Sequence, residues 1–507
     1  MRALPRAATP RHTLPPLEAL LVAGGDTRLT LDPATGLNQY GCRPLPRPEA
    51  MNFSAATASS ISDRAFARAL RLRRALENED VEAAAALTEA ARASLAAMLG
   101  IGTTGAEIVF APSGTDAALL ALAVARSGHG EAIISIIAAA DETGRGMLNA
   151  CCGRHFAAVT AQGRAVVAGT AIAGLGTAGD AVAVKLRDAA GRPRPPEETD
   201  RGVLTEVAAI VAAGHRALLY AMDHSKLGNR CPSDACLDAI DARFGAAVTV
   251  VVDACQARLG RGRMHFHLER GRMMLVTGSK FYGGPPLSGA LLVPPHLAMR
   301  MADSRGMPPA LRDYSVATDW PRGWTKLRAG FGGCVNLGQL LRWEAALAEM
   351  RAFYAMPEAG RSAALAAFAA AVPRAMAPIA ALELLPDAAE VADGEFPVRT
   401  IFPFALHRAG RRVAPELAGK LYLALNVDVS SLLPQAASRA ERHLAALCCH
   451  IGQPVAVPGA DGPYGVLRVS ASAPLVVANE APEPMLRLVF AKLALLLDHI
   501  DAVERAF

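Results

Sequence analysis

Short runs of Val, Ile, Leu and Ala recur through the middle of the chain, at residues 107–110, 132–137, 181–186, 217–222, 248–253, 273–277 and 290–293, with helical spacing between them. Runs this brief and this evenly apolar predict strands buried on both faces, so the pattern predicts a large, mainly parallel seven-stranded sheet covered by helices on both sides. Ahead of it, residues 63–97 have helical periodicity broken near Asn78 and Asp80, with Gly100 as a stop, so two helices are expected before the first strand. A further helix follows the first run at 115–125. Residues 188–201, with Pro193, Pro195 and Pro196, read as an exposed loop. Beyond Pro294 the pattern changes to a loop-rich stretch, a long helix at 339–353, and a mixed section with helices at 439–450 and 483–503.

This order divides the chain into an irregular arm at 1–50, a large α/β domain at 51–335 and a smaller C-terminal α+β domain at 336–507. At 52% hydrophobic and 20% charged, the 507 residues can fill such cores and are no disordered chain. A net charge of +5 with no Lys/Arg block argues against a nucleic-acid partner, and no apolar window of about 18 residues is present to span a membrane. Nine cysteines with no C-x-x-C spacing predict reduced thiols in the cytoplasm, and no structural metal. The first 25 residues lack a secretory signal pattern, and Arg2, Arg6 and Arg11 read as an entry arm. Only six of the 52 basic residues are lysine, which makes each lysine worth inspecting.

Three segments carry candidate chemistry. Phe110-Ala-Pro-Ser113-Gly114-Thr115-Asp116 passes from a strand through small residues into a helix, where free N–H groups and hydroxyls favour a phosphate. Val250-Val-Val-Asp253-Ala-Cys-Gln256 sets an acid at the end of an apolar strand, where ligands of open α/β sheets bind. Leu275-Val-Thr277-Gly-Ser279-Lys280-Phe-Tyr-Gly283-Gly284 sets a lysine at a third such strand end, where partial desolvation makes an amine nucleophilic.

In this order and spacing the three segments resemble fold-type-I pyridoxal-phosphate enzymes, and in particular the class V aminotransferase and cysteine desulfurase family, over roughly residues 50–475. The resemblance implies pyridoxal 5'-phosphate as cofactor, with Lys280 as the Schiff-base lysine and Asp253 as the acid facing the ring nitrogen. It further implies Gln256 on the ring hydroxyl, and Ser113, Gly114, Thr115, Thr277 and Ser279 on the phosphate. Asp223-His224-Ser225-Lys226-Leu227-Gly228 resembles another strand-end segment, with Ser225 near the ring hydroxyl or substrate. Val466-Leu467-Arg468-Val469-Ser470 resembles the one whose arginine clamps a substrate carboxylate. His224, Arg145 and Asn38 are further candidates for substrate contact. A homodimer with shared active sites is implied, acting on a small amino substrate.

The chain also departs from that family. Asp141-Glu142-Thr143-Gly144-Arg145 puts Thr143 where relatives stack a histidine on the ring, leaving His155 or Phe156 as alternatives. The loop 331–336 lacks a threonine that relatives direct at the neighbouring subunit's phosphate. Cys448 and Cys449, read as helical and buried, argue against a desulfurase. Transamination is therefore the expected reaction, and a lyase reaction on the same cofactor is the alternative. A non-catalytic cofactor-binding protein is the third reading.

Overall fold

The computed structural model describes residues 14–77, 80–128, 132–304, 306–332, 335–386 and 394–507. Arg2, Arg6, Arg11, the break at Asn78, and Gly333 and Cys334 of the loop at 331–336 lie outside the described residues. In chain order the strands are β1 (Ala50–Phe53), β2 (Glu107–Ala111), β3 (Ile133–Ala138), β4 (Val182–Val184), β5 (Arg216–Met222), β6 (Val248–Asp253) and β7 (Met273–Thr277). They continue with β8 (Gly289–Val293), β9 (Leu382–Leu384), β10 (Ile401–Arg408), β11 (Arg411–Arg412), β12 (Cys448–Val457) and β13 (Tyr464–Ser470).

One sheet joins seven strands in the order β2-β8-β7-β6-β5-β3-β4. The segment β7-β6-β5-β3-β4 is parallel throughout, whereas β8 is antiparallel to both β7 and β2. Two antiparallel steps return β2 to the direction of β7. The carboxyl ends of β2, β3, β5, β6 and β7 therefore open on one edge, where such sheets meet ligands. Every residue of β5, β7 and β8 is buried, and each fully buried Leu or Val contributes about 1.5–3 kcal/mol. The helix Gly114–Arg126 buries Thr115 through Ala125 without a polar stripe, because it lies inside the molecule and not on its surface.

The second sheet runs β1-β12-β13-β10-β11, with β9 also paired to β10. Here the structure corrects several expectations. The strand β1 precedes the helices Asp63–Leu76 and Val81–Met98, and pairs in parallel with β12, Ala50 opposite Cys448. Four residues at the end of a proline-rich arm carry no period of their own; the partner strand supplies their ladder. The same pairing ends the helix expected at 439–450: it stops at Ala446, Leu447 turns to an extended ψ of 140°, and Cys448, Cys449 and His450 enter β12. Tertiary pairing overrides local helical preference there. The loop expected at 188–201 ends at Pro195, since Pro196 opens the helix Pro196–Ala212, a position that suits proline's fixed φ and missing N–H. The helix expected at 483–503 is two, Pro482–Asp498 and Ile500–Ala506, parted at His499. The arm contains a helical turn at Leu17–Leu21 and a 3-10 turn at Thr27–Leu29. Among the described residues no helix is long and apolar enough to cross a membrane.

Candidate active site at the strand ends

Ser113 has extended backbone angles and caps the helix Gly114–Arg126, its Oγ accepting the Asp116 N–H at 3.2 Å. The Asp116 carboxyl bonds the same hydroxyl, and burial raises its pKa to about 7 against the pull of Arg28. Two glycines let this turn settle onto its neighbours. A Cβ on Gly114 would lie 2.5 Å from Cys255 Sγ, and one on Gly289 would lie 2.4 Å from the Ser113 carbonyl carbon. In β8, Gly289 stands between Ala111 of β2 and Thr277 of β7, so the turn and the segment leading to Lys280 are adjacent.

Asp253 ends β6 buried, with Oδ1 accepting the Cys255 N–H at 3.1 Å, and Met222 and Leu275 stand beside it in register. Thr277 Oγ1 donates to the Cys255 carbonyl at 2.7 Å. Ser279 is buried, and neither its hydroxyl nor Lys280 Nζ has a hydrogen-bond partner among the described residues. Ala139, Ala257 and Leu287 adopt φ of 57°, 55° and 67°, so non-glycine residues hold the left-handed region just beyond the ends of β3 and β6 and before β8.

The arm delivers Arg28, a residue not singled out from the sequence. Its Nη2 donates to Ser113 Oγ at 2.8 Å and its Nη1 reaches Thr115 Oγ1 at 3.4 Å, while Asp26 takes Nε at 2.8 Å and Nη2 at 2.6 Å. Burial alone would lower the Arg28 pKa, but Tyr40, Asp26 and Asp116 outweigh it and hold the guanidinium firmly charged.

A buried carboxylate, Glu142, organises the other side. It accepts from Arg187 Nε at 2.6 Å and Asn229 Nδ2 at 2.6 Å, and from the Ser225 hydroxyl. Ser225 Oγ in turn accepts the N–H groups of Leu227 and Asn229 at 3.1 and 3.0 Å. The loop after β5 is thereby latched, and it carries Lys226, also not singled out from the sequence. Burial first, then the charges of Arg468, Lys280 and Arg145, lower the Lys226 pKa to about 7, with Glu142 opposing. Its amine has no hydrogen-bond or ion-pair partner among the described residues. Two amines, Lys226 and Lys280, thus share one region.

Other predicted residues are more committed. Arg468, 2% exposed, donates from Nη1 to the Lys226 carbonyl at 3.0 Å and from Nη2 to Thr57 Oγ1 at 2.9 Å and the Gln453 carbonyl at 2.6 Å. The Gln256 amide is engaged at both ends, donating to the Ala56 carbonyl at 3.1 Å and accepting from Arg258 at 3.0 Å. His224 Nδ1 pairs with Asp223 at 2.6 Å, and with Arg230 it holds the Asp223 carboxyl below its ordinary range although burial alone would raise it. Asn38 Oδ1 accepts the N–H groups of Tyr40 and Cys42 at 2.9 and 3.2 Å, which makes it a turn former. Arg145 is exposed and Thr143 half-buried. Of the alternatives to Thr143, His155 bonds Tyr314 through Nδ1 at 2.5 Å. Phe156 lies against Tyr314, ring centroids 5.4 Å apart, and borders Gly146, as does Thr115. Gln453, whose carbonyl takes the Arg468 guanidinium, belongs to β12 at the register shift between Gly452 and Val455.

No family model and no curated protein matches this chain. Solved structures do. Catharanthus roseus tryptophan decarboxylase, in complex with L-tryptophan, covers 98% of this chain and 90% of its own at 15% identity and a TM-score of 0.53. Oryza sativa TDC with PLP covers 90% and 85% at 14% identity and 0.51, and mouse CSAD 89% and 83% at 17% and 0.50. The chain has the fold-type-I architecture. Within it, the class V likeness read from the sequence meets no counterpart here, since none of these three is an aminotransferase or a desulfurase by name.

Proposed function

We propose that this chain is a pyridoxal-phosphate enzyme acting on an amino acid as a lyase, with decarboxylation as the bond cleavage. The observation that carries the cofactor is the convergence on one sheet edge of Lys280, whose amine has no partner among the described residues, Asp253, and the Ser113–Thr115 turn. These residues fit the group. A dianionic phosphate suits the hydroxyls of Ser113 and Thr115 and the helix N–H groups beside the Arg28 cation. Among the described residues Asp253 takes a backbone N–H on Oδ1 alone, so its other oxygen would hold a proton at the ring nitrogen, and Lys280 offers the amine that would hold the aldehyde carbon. When bound, the cofactor supplies an electron sink for the pair released at the α-carbon.

Two observations support a lyase over transamination. The structurally similar proteins include a tryptophan decarboxylase by name. Arg468 spends its Nη groups on Lys226, Thr57 and Gln453, so it presents no open two-pronged fork to pin an α-carboxylate. A carboxylate about to leave as carbon dioxide is better left unpinned, because a charge-assisted clamp stabilises the ground state more than the transition state.

The deciding assay incubates the purified protein and cofactor with single L-amino acids, without any keto acid, and measures carbon dioxide and the matching amine. Both products are expected from at least one amino acid. Amino transfer that requires a keto acid and releases no carbon dioxide would overturn the lyase reading.

A further inference from the structure

We infer that Arg28, on the N-terminal arm, is a ligand of the cofactor phosphate, supplied by the same chain as Lys280. The inference rests on the cofactor reading above and adds a residue to it. Three observations carry it.

The first is position. Arg28 lies far from Ser113 and Thr115 in sequence, yet its guanidinium contacts both hydroxyls of the turn. The second is the distribution of its donors. Asp26 holds Nε and Nη2 in a two-pronged grip, at 2.8, 3.0 and 2.6 Å, which fixes the plane of the guanidinium. Nη1, with two N–H groups, makes among the described residues only the 3.4 Å contact to Thr115 Oγ1. The lightly used edge is therefore the one at the turn, and the side chain is 21% exposed.

The third is charge. Asp26 and Asp116 are both buried near the cradle, with Asp116 Oδ2 3.6 Å from Arg28 Nη2. Without Arg28, a phosphate entering the turn would face carboxylates with only helix N–H groups and hydroxyls to attract it. With Arg28 present, the anion meets a cation that Asp26 orients, an arrangement suited to phosphate oxygens. Asp26 is thus a positioning residue and Arg28 the ligand.

The test compares two probes on the full-length apoprotein: pyridoxal phosphate and pyridoxal, which lacks the phosphate, each titrated by absorbance and by quenching of intrinsic fluorescence. The variants are R28Q and R28K. In R28Q the affinity for pyridoxal phosphate should fall about ten- to a hundredfold, the loss of one charge-assisted contact, while that for pyridoxal stays within about twofold. R28K, which keeps a cation but loses the planar grip of Asp26, should fall between; it serves alone should R28Q not fold. Equal weakening of both probes would assign Arg28 a structural role and overturn the inference, as would unchanged binding of pyridoxal phosphate. Wild-type protein that binds neither probe would remove the cofactor reading itself, a result distinct from either of those.

Discussion

Arg468 Nη1 donates to the backbone carbonyl of Lys226 at 3.0 Å. This bond ties β13 of one sheet to the loop that follows β5 of the other, and that loop carries the Lys226 amine, which has no partner among the described residues. Lys226 is buried and feels the like charges of Arg468, Lys280 and Arg145, with Glu142 opposing them, and together these bring its pKa to about 7.

That shift has a definite sign. Between about 7 and its ordinary 10.5, Lys226 is protonated in the unfolded chain and largely neutral in the folded one. Stability therefore rises with pH across this window: the penalty is full below about 7 and gone above 10.5. In K226M the penalty is absent. The urea midpoint of K226M should exceed that of wild type at about pH 6.5, with the gap closing by about pH 9.5. A gap that widens with pH would contradict the placement of this amine.

Glu142 is the latch of the same loop. E142A would leave the Arg187 guanidinium, 6% exposed, without its carboxylate, and would free Ser225 and Asn229. Chemical denaturation should show a loss of about 3–5 kcal/mol, with E142Q costing less because it preserves shape and an acceptor. An E142A loss under about 1 kcal/mol would mean that the latch carries little.

The contact between Gly114 and Cys255 gives a paired prediction. A methyl at Gly114 meets Cys255 Sγ at 2.5 Å, so G114A should destabilise by about 1–3 kcal/mol. Removing the sulfur in G114A/C255A should recover much of that loss. Additive effects in the double variant, measured by the same unfolding experiment, would show that the two residues do not compete for space.

The sheet was legible because buried parallel strands leave a plain signature: brief, mostly apolar runs such as Val248–Asp253 and Met273–Thr277. The strand-end residues Ser113, Asp253 and Lys280 were legible for the same reason, each following such a run. What escaped lies where partners are remote in sequence. The strand β1 and the start of β12 complete one another, and Cys448 and Cys449 read as helix because nothing near them announces a strand partner. Arg28 stands in an arm without periodicity; its one local signal is Asp26 two residues earlier, an acid placed to orient it. Lys226 has a signal in the scarcity of lysine, the same one that marks Lys280, but it follows no apolar strand end directly as Asp253 does. The commitment of Arg468 to Lys226, Thr57 and Gln453 depends on three separate segments and has no sequence signature.

Lys280 is the residue assigned to hold the cofactor, and Lys226 is its rival, a second amine in the same region with a lowered pKa and no partner among the described residues. Incubating the protein with pyridoxal phosphate, fixing any covalent link by borohydride reduction, and mapping the modified peptide by mass spectrometry separates them. A stoichiometric pyridoxyl group is expected on Lys280 and none on Lys226; modification of Lys226 in its place, or of neither lysine, would overturn the assignment of Lys280.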